Sequence, residues 1–201
     1  MVLTADERYG LKCLFEMLKQ HSYCTVVHSH NVERVTSYMG VALSLSVVEQ
    51  EKLYYGALMH DIGKLHVHLQ ILNKRSELTR SEFNVIKMHP KTGVDMCRNI
   101  IKDRDILSMI GLHHINEDGT GYGDTSNDLE HNQLVKVVHI ADVVSALFET
   151  RAYKKPFSEH EVIGILQDDT KLFNSRLKDI VISNIAVIRS LVVSSYLASK
   201  A

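Results

Sequence analysis

An all-α fold is what this 201-residue sequence predicts, on three observations. Its hydrophobic fraction is 45% with only 2 Pro and 10 Gly, a balance that favours long helices over a turn-rich β architecture. Apolar residues recur at three- and four-residue spacing in segment after segment, which puts them on one face of a helix. The histidines and aspartates able to carry chemistry fall within, or at the ends of, those same segments.

From Thr4 to about Gln20, Leu11, Leu14, Phe15 and Leu18 form one helical stripe, with Thr4 or Asp6 placed to cap it. Thr25 to Leu45 carries Val32, Val35, Met39, Ala42 and Leu43 on a second stripe and begins at His28-Ser29-His30. A third helix is expected from Val47 or Val48 to His60, stopping near Gly63. Ile71-Leu72-Asn73-Lys74 reads as a connector. Thr79-Arg80-Ser81-Glu82 has the form of a capping box and opens a helix through Met88, which Pro90 ends or restarts. Helices over Val94–Ile101 and Ile106–His114 precede a loop at 116–124 that holds Gly119, Gly121 and Gly123. Leu134 to Leu147 is apolar on nearly every side, as a helix enclosed by its neighbours would be, and Asp142 sits in its middle. Helices over Glu159–Asp169 and Ser175–Leu197 complete the expectation. No Pro-, Gly- and Ser-rich stretch divides the chain, so one domain is expected over 1–201: an N-terminal helix (1–22), a core (23–155) and C-terminal helices (156–201).

Charge and cysteine usage narrow the function classes. Lys+Arg 23 against Asp+Glu 24 leaves a formal net charge of -1, so no global positive field advertises polymeric nucleic acid or an anionic membrane. Cys13, Cys24 and Cys97 are odd in number and widely spaced, which argues against a disulfide framework and for a reducing cytoplasm. Asp6, Glu7 and Arg8 precede any apolar run, so neither a secretory signal nor membrane insertion is expected.

Taken singly, a helical histidine is more commonly a surface or core residue than a ligand. Coincidence changes that. His60-Asp61 stand at a helix end before Gly63 and Lys64, His113-His114 adjoin a Gly-rich loop, and His89 precedes Pro90. Asp142 lies within an apolar helix, where an unpaired charge would cost several kcal/mol or more. With His28 these residues read as one metal site, imidazole suiting Fe, Mn, Zn, Ni or Cu and a carboxylate able to bridge two ions. His21, His30, His66, His68, His131, His139 and His160 lack such context and are assigned to surface or core.

The succession His28-Ser29, His60-Asp61-Ile62-Gly63-Lys64, Ile71-Leu72-Asn73-Lys74, Leu78-Thr79, His89-Pro90-Lys91-Thr92-Gly93, His113-His114, Asp118-Gly119-Thr120-Gly121-Tyr122, Ile140-Ala141-Asp142 and Arg151-Ala152-Tyr153-Lys154 resembles the HD-GYP subgroup of the HD phosphohydrolases. Members of that subgroup are helical, metal-dependent phosphodiesterases that hydrolyse the bacterial messenger cyclic di-GMP to linear pGpG, and often onward to GMP. The resemblance implies an HD-type helical bundle with a dinuclear metal site in its core. His28, His60, Asp61 and Asp142 would hold one ion, Asp61 would bridge, and His89, His113 and His114 would complete the second. Fe or Mn is favoured, Ni or Zn compatible. Two ions sharing a hydroxide can make it a nucleophile and clamp the phosphoryl oxygens for in-line displacement. Asp61 and Lys64 would be the catalytic pair; Lys64, Arg151, Lys154 and Tyr122 would contact a small cyclic dinucleotide. A homodimer or a signalling partner protein is compatible with the resemblance.

The sequence departs from the subgroup at four points. Cys24 stands where three-metal members have a Glu, which favours two ions here. Ile115 replaces the Glu of His-His-Glu, with Glu117 placed to substitute from the loop. Gly123 replaces the Pro of Gly-Tyr-Pro, an exchange expected to loosen the loop. Ser145 replaces an acid three residues after Asp142. Two alternatives therefore stand beside cyclic di-GMP hydrolysis: an HD-type phosphohydrolase acting on another nucleotide or cyclic dinucleotide, and a catalytically weak cyclic di-GMP receptor.

Overall fold

A computed structural model describes residues 2–74, 76–125, 128–150, 155–168 and 171–192. Among these residues the structure is helical with no strand: α1 (Ala5–His21), α2 (Tyr23–Ala42), α3 (Val47–Met59), a 3₁₀ turn (Ile62–His66), α4 (Leu69–Leu72), α5 (Arg80–Ile86), α6 (His89–Cys97), α7 (Arg104–Leu112), α8 (Gln133–Phe148), α9 (Glu159–Asp168), α10 (Ser175–Ser183) and α11 (Ile185–Leu191). The all-α expectation holds.

Local chemistry sets the ends of these helices. Capping boxes close the N-termini of α1 (Thr4 with Glu7), α3 (Ser46 with Glu49) and α5 (Thr79 with Glu82), each satisfying two otherwise unpaired backbone donors. The pre-Pro90 break falls where expected: Pro90 occupies the first turn of α6, where its missing N–H costs nothing. The connector at 71–74 is in part the single turn of α4. The expected helix over Ser175–Leu197 is instead broken at Asn184. Its side chain donates to the Ile180 carbonyl (2.8 Å) and accepts from Tyr38 Oη (2.7 Å), an alternative to continuing the ladder that Asn readily takes; residues beyond 192 lie outside the described residues.

The core sits where α2, α3, α7 and α8 pack together. Val32, Val35, Met39, Leu53, Ala57, Met109, Ile110, Val138, Ile140 and Val144 are fully enclosed there, each aliphatic side chain stabilising the fold by roughly 1.5–3 kcal/mol relative to exposure. One close approach positions the site. A Cβ on Gly63 would land on the His89 carbonyl and within 2.6 Å of the Gly93 nitrogen, so glycine lets the 3₁₀ turn lie directly on α6. That contact brings the His60-Asp61 end of α3 against His89. No described helix is long and apolar enough to cross a membrane.

Candidate metal centre

Five elements converge on one buried cluster. His28 comes from the middle of α2, His60 and Asp61 from the end of α3, His89 from the start of α6, His113 and His114 from the end of α7, and Asp142 from the middle of α8. Their ligand atoms form three groups, each within 4.8 Å of one another: His28, His60 and Asp142; His60, Asp61 and His113; His89, His113 and His114. All seven expected ligand residues are therefore together. Asp61 faces both sides, with Oδ2 3.4 Å from His60 Nε2 and Oδ1 3.2 Å from His89 Nε2.

Tautomers follow from the hydrogen bonds. His60, His89 and His113 each place Nδ1 2.7–2.9 Å from the backbone carbonyl three residues earlier, at Ala57, Ile86 and Ile110. A carbonyl only accepts, so each Nδ1 carries a proton, and the buried His89 and His113 rings, kept neutral, turn bare Nε2 lone pairs inward. His89 Nε2 and His113 Nε2 then meet at 3.1 Å, lone pair to lone pair. Buried His60 Nε2 and Asp61 Oδ1 make no hydrogen bond. Converging lone pairs beside a carboxylate are repulsive on their own and fit a cation between them. Clusters able to hold a metal are thus present among the described residues.

The charged groups respond to this enclosure in two ways. Burial pushes His89 down to about 3, His114 down to about 4 and His113 well below the ordinary histidine value. Burial also opposes the charged form of His28, yet the Glu149 carboxylate and hydrogen bonds to Asp142 (2.8 Å) and Glu149 (2.9 Å) outweigh it and raise His28 to about 10. Burial works against ionised Asp61 and Asp142 as well; Lys64 and His60 hold Asp61, and His28 holds Asp142, well below the usual carboxylate range.

Around the cluster, Lys64 Nζ donates to Asp61 Oδ2 at 2.6 Å from a partly exposed position. Half-buried Tyr122 lays its ring on His114, centroids 4.5 Å apart, and Lys87 Nζ lies 5.4 Å from the Tyr122 centroid. Arg151 and Lys154 lie outside the described residues. At Gly123 the backbone is closely packed. A Cβ there would come within 2.6 Å of the Gly111 carbonyl, which accepts from Asp124 N (2.8 Å), while Tyr122 N donates to His114 O (3.2 Å). The glycine allows this close backbone contact. Glu117, the expected stand-in for the acid missing at Ile115, instead pairs with Lys136 (3.0 Å). Exposed Cys24 and buried Ser145 occupy the other two departures.

Sequence reasoning missed three supporting residues. Buried Glu149 receives His28 Nδ1 and Asn31 Nδ2 (2.8 Å). Buried His139, assigned to surface or core, donates from Nδ1 to the His113 carbonyl (2.7 Å) and stacks on Phe173. The only available signal was register: Glu149 follows Asp142 by two turns and Asn31 follows His28 by one.

An enclosed set of imidazoles and carboxylates, delivered by helices with a His-Asp pair at its centre, defines an HD-type protein. The HD domain family model matches residues 25–147, and the chain belongs to that family. It is 30% identical over 165 residues to the 3'3'-cGAMP-specific phosphodiesterase 1 of Vibrio cholerae, an overlap covering 81% of this chain and 38% of that protein. It is 29% identical over 175 residues to the cyclic di-GMP phosphodiesterase PdeB of Borreliella burgdorferi, covering 86% and 46%. The chain thus spans less than half the length of these curated relatives. The fold is similar to the PgpH HD domain of L. monocytogenes solved in complex with cyclic-di-AMP, with TM-score 0.60 and 18% identity over 90% of this chain and 93% of that one. The resemblance to the HD-GYP subgroup and the helical HD fold it implied are both borne out.

Proposed function

We propose that this chain, acting as one HD-type domain in a reducing cytoplasm, is a metal-dependent phosphodiesterase that hydrolyses cyclic di-GMP to pGpG and onward to GMP. The observation that supports the reading is the set of three overlapping ligand groups, with the Nε2 atoms of His89 and His113 meeting beside the Asp61 carboxylate. His28, His60 and Asp142 would hold one divalent ion and His89, His113 and His114 the second, with Asp61 between the two groups. Fe or Mn suits this mixed imidazole and carboxylate set best, with Ni or Zn also compatible.

When bound, the ions supply Lewis acidity and an activated water. The chain does the rest. Burial keeps His89, His113 and His114 neutral and ready to ligate. Lys64, at the mouth beside Asp61, neutralises charge building on the phosphoryl oxygens, and Tyr122 walls the entrance beside His114. The resemblance implies that Arg151 and Lys154, which lie outside the described residues, would contact the far phosphate or base. No Ser or Cys nucleophile is needed.

A second reading keeps the reaction and changes the substrate to 3'3'-cGAMP, favoured by the named specificity of the Vibrio relative. Incubating the Mn- or Fe-loaded protein with an equimolar mixture of cyclic di-GMP and 3'3'-cGAMP, resolved by chromatography, tests both. Linear pGpG is expected first. Preferential loss of 3'3'-cGAMP would select the second reading, and tight binding of cyclic di-GMP without product would identify a receptor.

A further inference from the structure

His60, His89 and His113 all lie at helix boundaries, where a carbonyl is free to accept from Nδ1. His28 lies inside α2, where the neighbouring carbonyls are engaged in the helix ladder. Its ring needs a partner from elsewhere in the chain. That partner is Glu149, at the C-terminal cap of α8, with Oε1 2.9 Å from His28 Nδ1 and held in place by Asn31 Nδ2 at 2.8 Å. One helix therefore grips both nitrogens of a single ring, Asp142 on Nε2 and Glu149 on Nδ1. A carboxylate only 6% exposed is costly to bury unless paired, and both of these hydrogen bonds come from the His28 side of the centre.

We propose that Glu149 is the positioning residue of the His28 half of the metal centre, replacing the acid that the subgroup carries at the position of Ser145. Ser145 is buried with an unpartnered Oγ, and Glu149 follows it by one helical turn on the same face. Held on Nδ1, the ring has one tautomer and one orientation left for a metal, with the Nε2 lone pair as its ligand atom on the Asp142 side. A carboxylate behind a ligating imidazole also raises its basicity, and losing such a partner typically weakens metal binding about 10–100-fold.

The inference rests on the metal-centre reading above and has its own test. Zinc serves as a diamagnetic probe, titrated against a competing chelator into the full chain and into Glu149→Ala and Glu149→Gln, with ¹H–¹⁵N spectra of the histidine rings of each loaded protein. Glu149→Ala is expected to weaken one of two zinc ions about 10–100-fold, leave the other unchanged, and lose the exchange-protected Nδ1–H resonance of His28. Glu149→Gln, whose amide oxygen still accepts, is expected to retain that resonance and bind with intermediate affinity, and it decides the matter if the alanine variant does not fold. Wild-type zinc affinity in either variant would overturn the proposal. A wild-type chain that takes up no zinc would overturn the metal centre itself.

Discussion

His28 and His89 belong to different ligand groups and hold their rings by different means. His28 sits between two carboxylates, Asp142 and Glu149, and is raised to about 10. His89, like His60 and His113, donates to a carbonyl of its own chain, and burial takes it down to about 3. The carboxylate-held half is thus electrostatically hungry for a cation and, without metal, satisfied by a proton on Nε2 that a metal ion would displace. The carbonyl-held half is already neutral and aligned. A buried histidine can therefore be made ready for a metal by supplying negative charge or by excluding protons, and this centre uses both around one shared Asp61.

The largest effect should follow from removing the residue common to both halves. Asp61→Ala is expected to abolish turnover and reduce metal content to one equivalent or less, measured by elemental analysis beside product chromatography; full activity would refute the bridge. Next is the contact that supports the carbonyl-held half. Gly63→Ala drives a methyl group into the His89 carbonyl, so destabilisation of about 1–3 kcal/mol is expected, read by denaturant unfolding and accompanied by metal loss; unchanged stability would mean the 3₁₀ turn does not rest on α6 as described.

The smallest effect is a pH profile that separates the halves in metal-free protein. His28 is raised above its ordinary 6.5, so its contribution is fully present below that pH and is lost as pH rises toward 10. His89 and His114 are depressed to about 3 and 4, so theirs is present above 6.5 and lost as pH falls toward those values, with Asp61 and Asp142 adding to the acid-side loss below the ordinary carboxylate range. Thermal unfolding of chelator-treated protein should show a maximum near pH 6.5, and metal should flatten the alkaline limb. A profile that rises steadily to pH 9 would break the comparison.

Much of this centre was legible in the sequence, for identifiable reasons. His60-Asp61 and His113-His114 announce themselves by adjacency, and Asp142 by the cost of a charge in an apolar helix. Helix periodicity and the Thr79–Glu82 box located the elements that carry them. Glu149 stayed hidden because an acid near a helix end looks like a solvated cap, and its partner His28 lies 121 residues away. His139 stayed hidden because what it orders is a backbone carbonyl, which leaves no mark on residue type. The close contact at Gly123 stayed hidden for the same kind of reason: the residue type says nothing about the carbonyl packed against it.

The central claim is that imidazoles and acids from five elements enclose a pair of cations. Crystals grown with manganese, with anomalous data collected at its absorption edge, test it most directly. The account predicts two peaks about 3.5–4 Å apart, one bounded by His28, His60 and Asp142, the other by His89, His113 and His114, with Asp61 touching both. A single peak away from Asp61, or none within the cluster, would contradict it.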